Sequence, residues 1–148
     1  MAITFYSTKG AHGGFSNFSA HPFELDGLRW RTSEHFFQAQ KFQDQDYREK
    51  IRLTPSPMIA AGLGRSRAIK IRDDWEEVKD EIMLRAVRAK FRAHPALREE
   101  LLATGDEEII EQTTKDKYWG CGSDGTGLNK LGLILMQVRA ELRAASEV

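Results

Sequence analysis

An acid, an amide and an amine lie on one stripe of a segment that is otherwise aromatic. In TSEHFFQAQKF, residues 32–42, Glu34, Gln38 and Lys41 fall within about 60° of one another at helical spacing, with phenylalanines on both sides. A carboxylate and an amine kept partly dry by phenyl rings have shifted pKa values, which acid–base and nucleophilic catalysis require. An exposed Glu–Lys pair, which contributes little to stability, fits the same spacing. The segment therefore predicts either one wall of a catalytic pocket or an ordinary surface pair.

A glycine-rich stretch near the C-terminus is the second candidate. KDKYWGCGSDGTGLNKLG, residues 115–132, contains five glycines, four of which lie between Trp119 and the start of the last predicted helix; Asp116 precedes them as well. Glycines allow the backbone to approach a ligand closely, and a helix N-terminus offers unpaired N–H groups to anions, to which Asn129 would add a side-chain donor. A flexible turn before an ordinary helix is the alternative, and Trp119 either fills the core or stacks on a planar ligand. The stretch is neither a P-loop nor a dinucleotide-binding fingerprint.

Two shorter motifs carry further polar candidates. In GLGRSR, Arg65 and Arg67 follow a glycine pair, which suits phosphate binding but also fits two solvated arginines. In GGFSNFS, Asn17 lies between Phe15 and Phe18, where it either lines a pocket or caps a turn.

The elements that position these residues are those of an α+β domain, predominantly helical, with a small N-terminal sheet. Residues 3–6 are predicted as a strand, and residues 22–30 as a hairpin that turns at Asp26-Gly27. Helices are predicted at residues 32–42, 46–53, 75–91, from Pro55 to the glycines at 62–64, and from Pro95 to near Gly105. Residues 107–113 fit either a helical turn or a strand.

Two patterns define the longest helices. Asp74 and Glu77 form a capping-box-like pair that opens the helix at Trp75. Apolar residues then repeat at intervals of three and four along the last helix, at Leu128, Leu131, Leu135, Val138 and Leu142. This repeat predicts a buried C-terminal helix.

Length and composition indicate one soluble domain over residues 1–148. The 22 lysines and arginines balance the 22 aspartates and glutamates, which argues against a protein that coats DNA or a membrane surface. A local basic pocket for a phosphorylated small molecule remains compatible with this balance. Cys121 is the only cysteine, so a disulfide framework is impossible and a reducing compartment is predicted. The N-terminus lacks a signal-peptide core, and we expect a cytoplasmic protein without membrane association.

Taken in order along the chain, seven motifs resemble those of one known family. They are GGFSNFS, TSEHFFQAQKF, GLGR, DDWEEVKDEIM, RAKF-x-AHP, LLATGD and DKYWGCGSDGTGLNKLG. This order resembles the NADAR family, or YbiA-like N-glycosidases, from about residue 4 to residue 143. The resemblance implies a mostly helical single domain that cleaves N-glycosidic bonds of ribosyl compounds.

The family resemblance also implies substrates and site residues. Family activities include the removal of ADP-ribose from guanine, also on ADP-ribosylated nucleic acid, and the hydrolysis of a ribosylamino-pyrimidine phosphate of riboflavin synthesis. The implied catalytic residues are Glu34, Lys41 and Asp116. The substrate-binding residues are Asn17, Arg65, Trp119, Gly122 and Gly127, together with Asn129 from the loop pattern. No cofactor or metal is expected, and the four histidines show no zinc-binding spacing.

Two mechanisms fit the segment that carries Glu34 and Lys41. Glu34 could stabilise an oxocarbenium-like centre or activate water. Alternatively, Lys41 attacks C1 of a ring-opened ribose and forms a Schiff base while Glu34 transfers protons, a route that the resemblance also implies. The carboxylate raises the pKa of the lysine, whereas burial lowers it and Arg65 would lower it further from nearby.

Three other function classes use the same residues differently. A non-catalytic module that binds ADP-ribose would need the pocket but not the reactivity of Glu34 and Lys41. A helical adaptor would need neither. A cysteine hydrolase would depend on Cys121 and would be inactivated by thiol alkylation.

Overall fold

The computed structural model describes residues 2–146, and these form the predicted α+β fold in which helices dominate. The strands are β1 (Ile3–Phe5), β2 (Phe23–Leu25), β3 (Leu28–Trp30) and β4 (Ile109–Glu111). The helices are α1 (Ser33–Ala39), α2 (Gln45–Leu53), α3 (Pro57–Arg65), α4 (Trp75–Ala93), α5 (Pro95–Ala103) and α6 (Lys130–Ser146), besides a 3₁₀ turn at Gly13–Phe15. No helix among residues 2–146 is long and apolar enough to cross a bilayer.

The chain divides into two compact units. The central unit comprises residues 20–93, and the terminal unit comprises residues 2–19 and 94–146 of the described chain. The central unit holds β2, β3 and α1 to α4, whereas the terminal unit holds β1, β4, α5 and α6. That the whole chain acts as one domain stays a prediction.

The hairpin of the central unit forms as the Asp-Gly pair predicts. β2 pairs with β3 in antiparallel register, with Phe23 opposite Trp30. Asp26 and Gly27 take φ values of 55° and 78°, the left-handed conformation that a two-residue hairpin turn requires. β2 packs against α4, and the buried ring of Trp30 meets Phe36 of α1 edge to face at 5.1 Å.

α1 is buried along nearly its full length because it packs against α2, α3 and α4. Thr32 caps it, since its hydroxyl oxygen accepts a hydrogen bond from the His35 backbone N–H at 3.1 Å. The buried His35 ring lies between the Thr32 hydroxyl at 2.8 Å and the Thr54 carbonyl oxygen at 2.9 Å. Burial lowers the pKa of His35, so the imidazole is neutral and donates from Nε2 to that carbonyl.

The end of α1 differs from its predicted position. The helix ends at Ala39 rather than at about Phe42, because the next residues form 3₁₀-type hydrogen bonds, in which each N–H donates to the carbonyl oxygen three residues before it. The Lys41 N–H donates to the Gln38 carbonyl oxygen and the Phe42 N–H donates to that of Ala39. Lys41 therefore leaves the helix just beyond its C-cap.

α3 contradicts the prediction that glycines stop it at residues 62–64. Ser56 caps the helix, Pro57 opens it, and it continues through both glycines to Arg65. A Cβ on Gly64 would lie 1.9 Å from Oε1 of Gln38. Glycine is needed at this position because α1 approaches α3 closely, and not because the helix ends there.

α4 opens at Trp75 as predicted, but Asp74 does not form the expected capping box. Its carboxylate accepts from Nε of Arg72 at 2.6 Å, while the Glu77 N–H donates to the Asp74 backbone oxygen. The helix extends two residues beyond the predicted Phe91, to Ala93.

In the terminal unit, residues 109–111 are a strand. β4 pairs in parallel with β1, and Ile3 lies opposite Ile109. α6 packs on β4 and α5 and buries four of its predicted core residues, Leu131, Leu135, Val138 and Leu142. Leu128 was expected among them, but it precedes the helix and is 57% exposed.

Candidate functional site

The amine of Lys41 lies at a junction of α1, α3 and α4 in the central unit. Lys41 Nζ donates to the Gly64 carbonyl oxygen at 3.3 Å and lies 5.9 Å from the centre of the Trp75 ring. Trp75 is buried and its ring contacts Phe37 at 5.0 Å. The lysine is therefore half-buried beside aromatic rings, which favours the pocket-wall interpretation over an ordinary surface pair.

Neighbouring charges shift the pKa of Lys41 in opposite directions. Burial away from water lowers the pKa of Lys41 below its usual value, and the positive charge of Arg67 adds to this effect. Glu34 and Glu76 act in the opposite direction, and Arg65 again lowers the pKa. The net effect is a lysine that loses its proton more readily than an exposed one, which is the direction a nucleophile requires.

Glu34 is half-buried and its carboxylate is oriented by a neighbour on α1. Nε2 of Gln38 donates to Oε2 of Glu34 at 2.7 Å. Oε1 of the same amide is buried against Gly64 and has no hydrogen-bond partner within the described chain. Gln38 thus connects the carboxylate to α3, whose Gly64 carbonyl binds Lys41. The sequence placed Gln38 on the polar stripe but could not assign it this role.

Arg65 and Arg67, at the end of α3, are both exposed to solvent, but they make different contacts. Arg65 is the last residue of the helix. Arg67 Nη1 donates to the carbonyl oxygens of Gly64, Arg65 and Ser66 at 2.9, 3.1 and 3.1 Å. Arg67 is therefore held against the end of α3, which the GLGRSR pattern could not distinguish from a solvated arginine.

Two of the predicted residues of the terminal unit, Asp116 and Trp119, lie in one tight turn. Asp116 is exposed, and its Oδ1 accepts from the N–H groups of Tyr118 and Trp119 at 3.0 and 2.8 Å. Trp119 is half-buried, with its ring edge to face with Tyr118 at 4.9 Å. The acid and the tryptophan are thus adjacent, as their spacing suggested, and the acid also shapes the turn.

The glycine loop folds tightly on itself. The Gly127 N–H donates to the Cys121 carbonyl oxygen at 2.7 Å, and a Cβ on Gly127 would lie 2.5 Å from the Gly120 carbonyl oxygen. Gly122 has a φ of 72° and donates from its N–H to the Thr113 hydroxyl. A cleft of about 410 Å³ opens beside this loop, lined by Tyr6, Gln112, Thr113, Thr114, Cys121, Gly122, Ser123 and Gly125.

The start of α6 does not offer the free N–H groups that the sequence suggested. The Lys130 and Leu131 N–H groups donate to the carbonyl oxygens of Tyr118 and Trp119, each at 3.0 Å. The side chain of Asn129 accepts from the Glu111 N–H at 3.0 Å and donates to the Ile109 carbonyl oxygen at 2.9 Å. The expectation of a phosphate bound by unpaired N–H groups is wrong for these two residues.

The remaining candidates are placed as follows. Asn17 is buried after the 3₁₀ turn, and Cys121 is half-buried with its thiol donating to the Gly122 carbonyl oxygen. A pocket of about 620 Å³ in the central unit is lined by β2, β3 and the end of α4, and includes neither Glu34 nor Lys41. Among residues 2–146, no group of three or more His, Cys, Asp or Glu side chains is placed to hold a metal ion.

Comparison with known proteins identifies the family. The NADAR domain model matches residues 4–143. The chain is 52% identical to N-glycosidase YbiA of Escherichia coli K12 over 140 residues, covering 95% of the chain and 88% of that protein. It is 44% identical to an N-glycosidase of Nostoc punctiforme over 146 residues, covering 97% of the chain and 94% of that protein.

A solved structure and a longer relative agree with this match. The NMR structure of E. coli YbiA has a TM-score of 0.91 at 50% identity, covering 98% of this chain and 86% of that one. A riboflavin biosynthesis protein of Vibrio vulnificus is 42% identical over 141 residues, which are 95% of this chain but 38% of that protein. The family prediction is confirmed: the chain belongs to the NADAR family and is an N-glycosidase, a hydrolase of N-glycosyl bonds.

Proposed function

We propose that this N-glycosidase removes ADP-ribose from guanine and that Lys41 is its nucleophile. The observation that carries the proposal is the state of the lysine amine, which is half-buried beside Trp75 and has a lowered pKa. A lysine becomes nucleophilic at neutral pH when burial and a second cation favour its neutral form. Arg65 at the end of α3 supports a substrate that carries phosphate groups.

The reaction follows from the positions of the amine and the carboxylate. The neutral Lys41 amine adds to C1 of a ring-opened ribose and forms a C–N bond. The bond from C1 to the base nitrogen then breaks, and that nitrogen receives a proton from Glu34. Water adds to the resulting Schiff base, which releases the sugar aldehyde and regenerates the amine, with the carboxylate returning the protons.

The other assigned residues are proposed to bind the substrate. Trp119 would stack on the base or the ribose, and its truncation would cost about 1–3 kcal/mol of binding. Asp116 would hold ribose hydroxyls or polarise the leaving base, and Arg65 would contact phosphate. Titration of substrate into the corresponding alanine variants tests each assignment. Asn17, Gly122, Gly127 and Asn129 complete the proposed set.

Trapping with borohydride tests the lysine mechanism. Wild-type protein is incubated with ADP-ribosylated guanine and sodium borohydride, and peptides are analysed by mass spectrometry. We expect a reduced sugar adduct at Lys41, and none in Lys41→Arg, which keeps the charge but lacks a usable amine. Lys70→Arg is the matched control because Lys70 is exposed and paired with Asp73. Near-normal turnover in Lys41→Arg would exclude the Schiff base and favour catalysis by Glu34 alone.

A ribosylamino-pyrimidine phosphate is the second candidate substrate. Relatives that are named riboflavin biosynthesis proteins, from Vibrio vulnificus and Zea mays, favour it. Incubating the protein with both substrates in parallel, and measuring the released base, decides between them. Faster release from the pyrimidine would replace guanine as the proposed leaving group without changing the role of Lys41.

A further inference from the structure

One carbonyl oxygen in the last turn of α3 accepts hydrogen bonds from two cations. Lys41 Nζ donates to the Gly64 oxygen at 3.3 Å, and Arg67 Nη1 donates to the same oxygen at 2.9 Å. Carbonyl groups at the C-terminal end of a helix carry partial negative charge, which allows positive groups to gather there. The guanidinium and the amine are therefore neighbours through a shared backbone acceptor.

The position of the Arg67 guanidinium is constrained. Its Nη1 also donates to the carbonyl oxygens of Arg65 and Ser66, both at 3.1 Å. A guanidinium remains charged at every pH at which the protein is folded, so this contact places a permanent positive charge beside the amine.

We propose that Arg67 is a positioning residue for Lys41, because the two side chains share the Gly64 carbonyl and the guanidinium keeps a fixed positive charge beside the reactive amine. The proposal deepens the role given to Lys41 above and rests on it. Arg67 itself need not touch the substrate. It acts through the lysine, and removing its charge makes the lysine easier to protonate.

The charges around the amine come from each element packed against it. Glu34 belongs to α1, Arg65 to the end of α3, Glu76 to α4, and Arg67 to the segment between α3 and α4. After burial, Arg67 has the largest effect on the pKa of Lys41, and its direction is downward. Without Arg67, only burial and Arg65 lower the pKa of Lys41, while the carboxylates of Glu34 and Glu76 still raise it. The pKa of Lys41 therefore rises.

A purely structural role for Arg67 makes a different prediction. If Arg67 only caps the carbonyls of α3, its removal lowers stability without changing the reactivity of Lys41. Arg67→Gln separates the two roles, because the amide can still donate to a carbonyl but carries no charge. Arg67→Lys is the complementary variant, because it keeps the charge and loses the planar guanidinium.

Competitive acetylation over a range of pH tests the proposal without any substrate. Folded protein is labelled with trace acetic anhydride, and the rate at Lys41 is read by mass spectrometry against a free amine standard. We expect the labelling midpoint of Arg67→Gln to move up by about 0.5 pH unit or more, which slows labelling below the midpoint about threefold. Arg67→Lys should stay closer to wild type.

The control is Lys70→Gln, which removes one positive charge from the same segment. Lys70 is exposed and pairs with Asp73 at 3.1 Å, so water screens its charge. Its midpoint should equal that of wild type. If Arg67→Gln does not fold, Arg67→His takes its place, because histidine keeps a ring N–H and is neutral above about pH 7.

The outcomes separate this proposal from the proposed function. A lower melting temperature of Arg67→Gln with an unchanged labelling midpoint of Lys41 would show that Arg67 only caps the helix, and would overturn the proposal. A labelling midpoint that moves equally in Lys70→Gln would overturn it as well. A raised midpoint together with a pH profile of kcat that moves by the same amount supports both claims. A raised midpoint with an unmoved kcat profile supports the role of Arg67 but overturns Lys41 as the nucleophile.

Discussion

Glu34 has two effects on the proposed reaction, one on the pKa of Lys41 and one on proton transfer, and a single substitution can separate them. The carboxylate raises the pKa of the lysine, whereas burial and two arginines lower it, and the lowering effects dominate. Glu34 is therefore unfavourable for the reactivity of the free amine. Its proposed value lies in proton transfer to the leaving base.

Glu34→Gln tests this division of roles. The amide keeps the size of the side chain and removes its charge, so the pKa of Lys41 should fall and its acetylation midpoint should move to lower pH. Turnover should nevertheless drop by about 100-fold or more, because the proton donor is lost. Labelling and kcat are measured on the same preparation. Turnover that rose together with lysine reactivity would show that Glu34 transfers no proton.

The contact between α1 and α3 connects the two catalytic candidates. Gln38 holds Glu34 from one side and packs on Gly64 from the other, and the Gly64 carbonyl holds Lys41. The distance between these helices is set by the missing side chain at residue 64. A change there moves both functional groups together.

Gly64→Ala is expected to reduce both activity and stability. Its Cβ would lie 1.9 Å from Oε1 of Gln38, so the amide must shift and release Glu34. We expect a loss of about 1–3 kcal/mol of stability, with a drop in kcat of about tenfold or more as the donor to Glu34 moves. Urea unfolding and steady-state kinetics give the two values.

Gly62→Ala is the matched control on the same helix. The nearest atom to a Cβ there is Nη2 of Arg65 at 3.9 Å. Replacing a helical glycine in open space should stabilise the protein by about 0.5–1 kcal/mol and leave kcat unchanged. Equal kinetic losses in both variants would mean that the Gln38 contact does not matter.

Asn129 has a structural role at the junction of β4 and α6. Both ends of its side chain bind the backbone of residues 109–111, and it holds a φ of 52°. Asn129→Ala should therefore cost about 1–3 kcal/mol of stability in urea unfolding. Leu128→Ala, at an exposed neighbouring position, should change stability by less than about 0.5 kcal/mol. Substrate binding that weakens further than the loss of stability explains would support the proposed ligand contact of Asn129 in addition to this structural role, and unchanged stability would contradict the structural role.

Across the folded chain, a buried lysine links stability to pH. Lys90 on α4 is 1% exposed, and burial lowers its pKa from 10.5 to about 7. Between these two values the unfolded chain binds more protons at this side chain than the folded chain does. The contribution of Lys90 to folding stability therefore rises as the pH increases from about 7 toward 10.5.

Lys90→Met should remove this rise. Between pH 7 and 9, the free energy of unfolding of wild type should gain about 2 kcal/mol relative to the variant. Urea unfolding at several pH values gives both curves. Parallel curves would show that Lys90 keeps an ordinary pKa in the folded state.

Several features were readable from neighbouring residues alone. The Asp-Gly turn, the proline start of α5 and the apolar repeat of α6 depend on contacts within a few positions, whereas α3 starts at Pro57 and not at the predicted Pro55. The burial of α1 was also indicated, because aromatic residues occur on more than one side of its polar stripe. The family motifs are likewise local patterns, and their order along the chain identified the N-glycosidase before any packing was known.

Other features depend on residues that are distant in sequence. Local pattern left residues 107–113 undecided, and pairing with β1 makes residues 109–111 a strand. Gly64 looked like a helix stop, but its contact with Gln38 of α1 gives it a different role. The sequence left Arg67 open between phosphate binding and a solvated side chain, and the end of α3 places it beside Lys41. Turn and helix signals arise from short-range sterics and hydrogen bonds, whereas pKa values and close approaches arise from burial and charge, which only the packed chain creates.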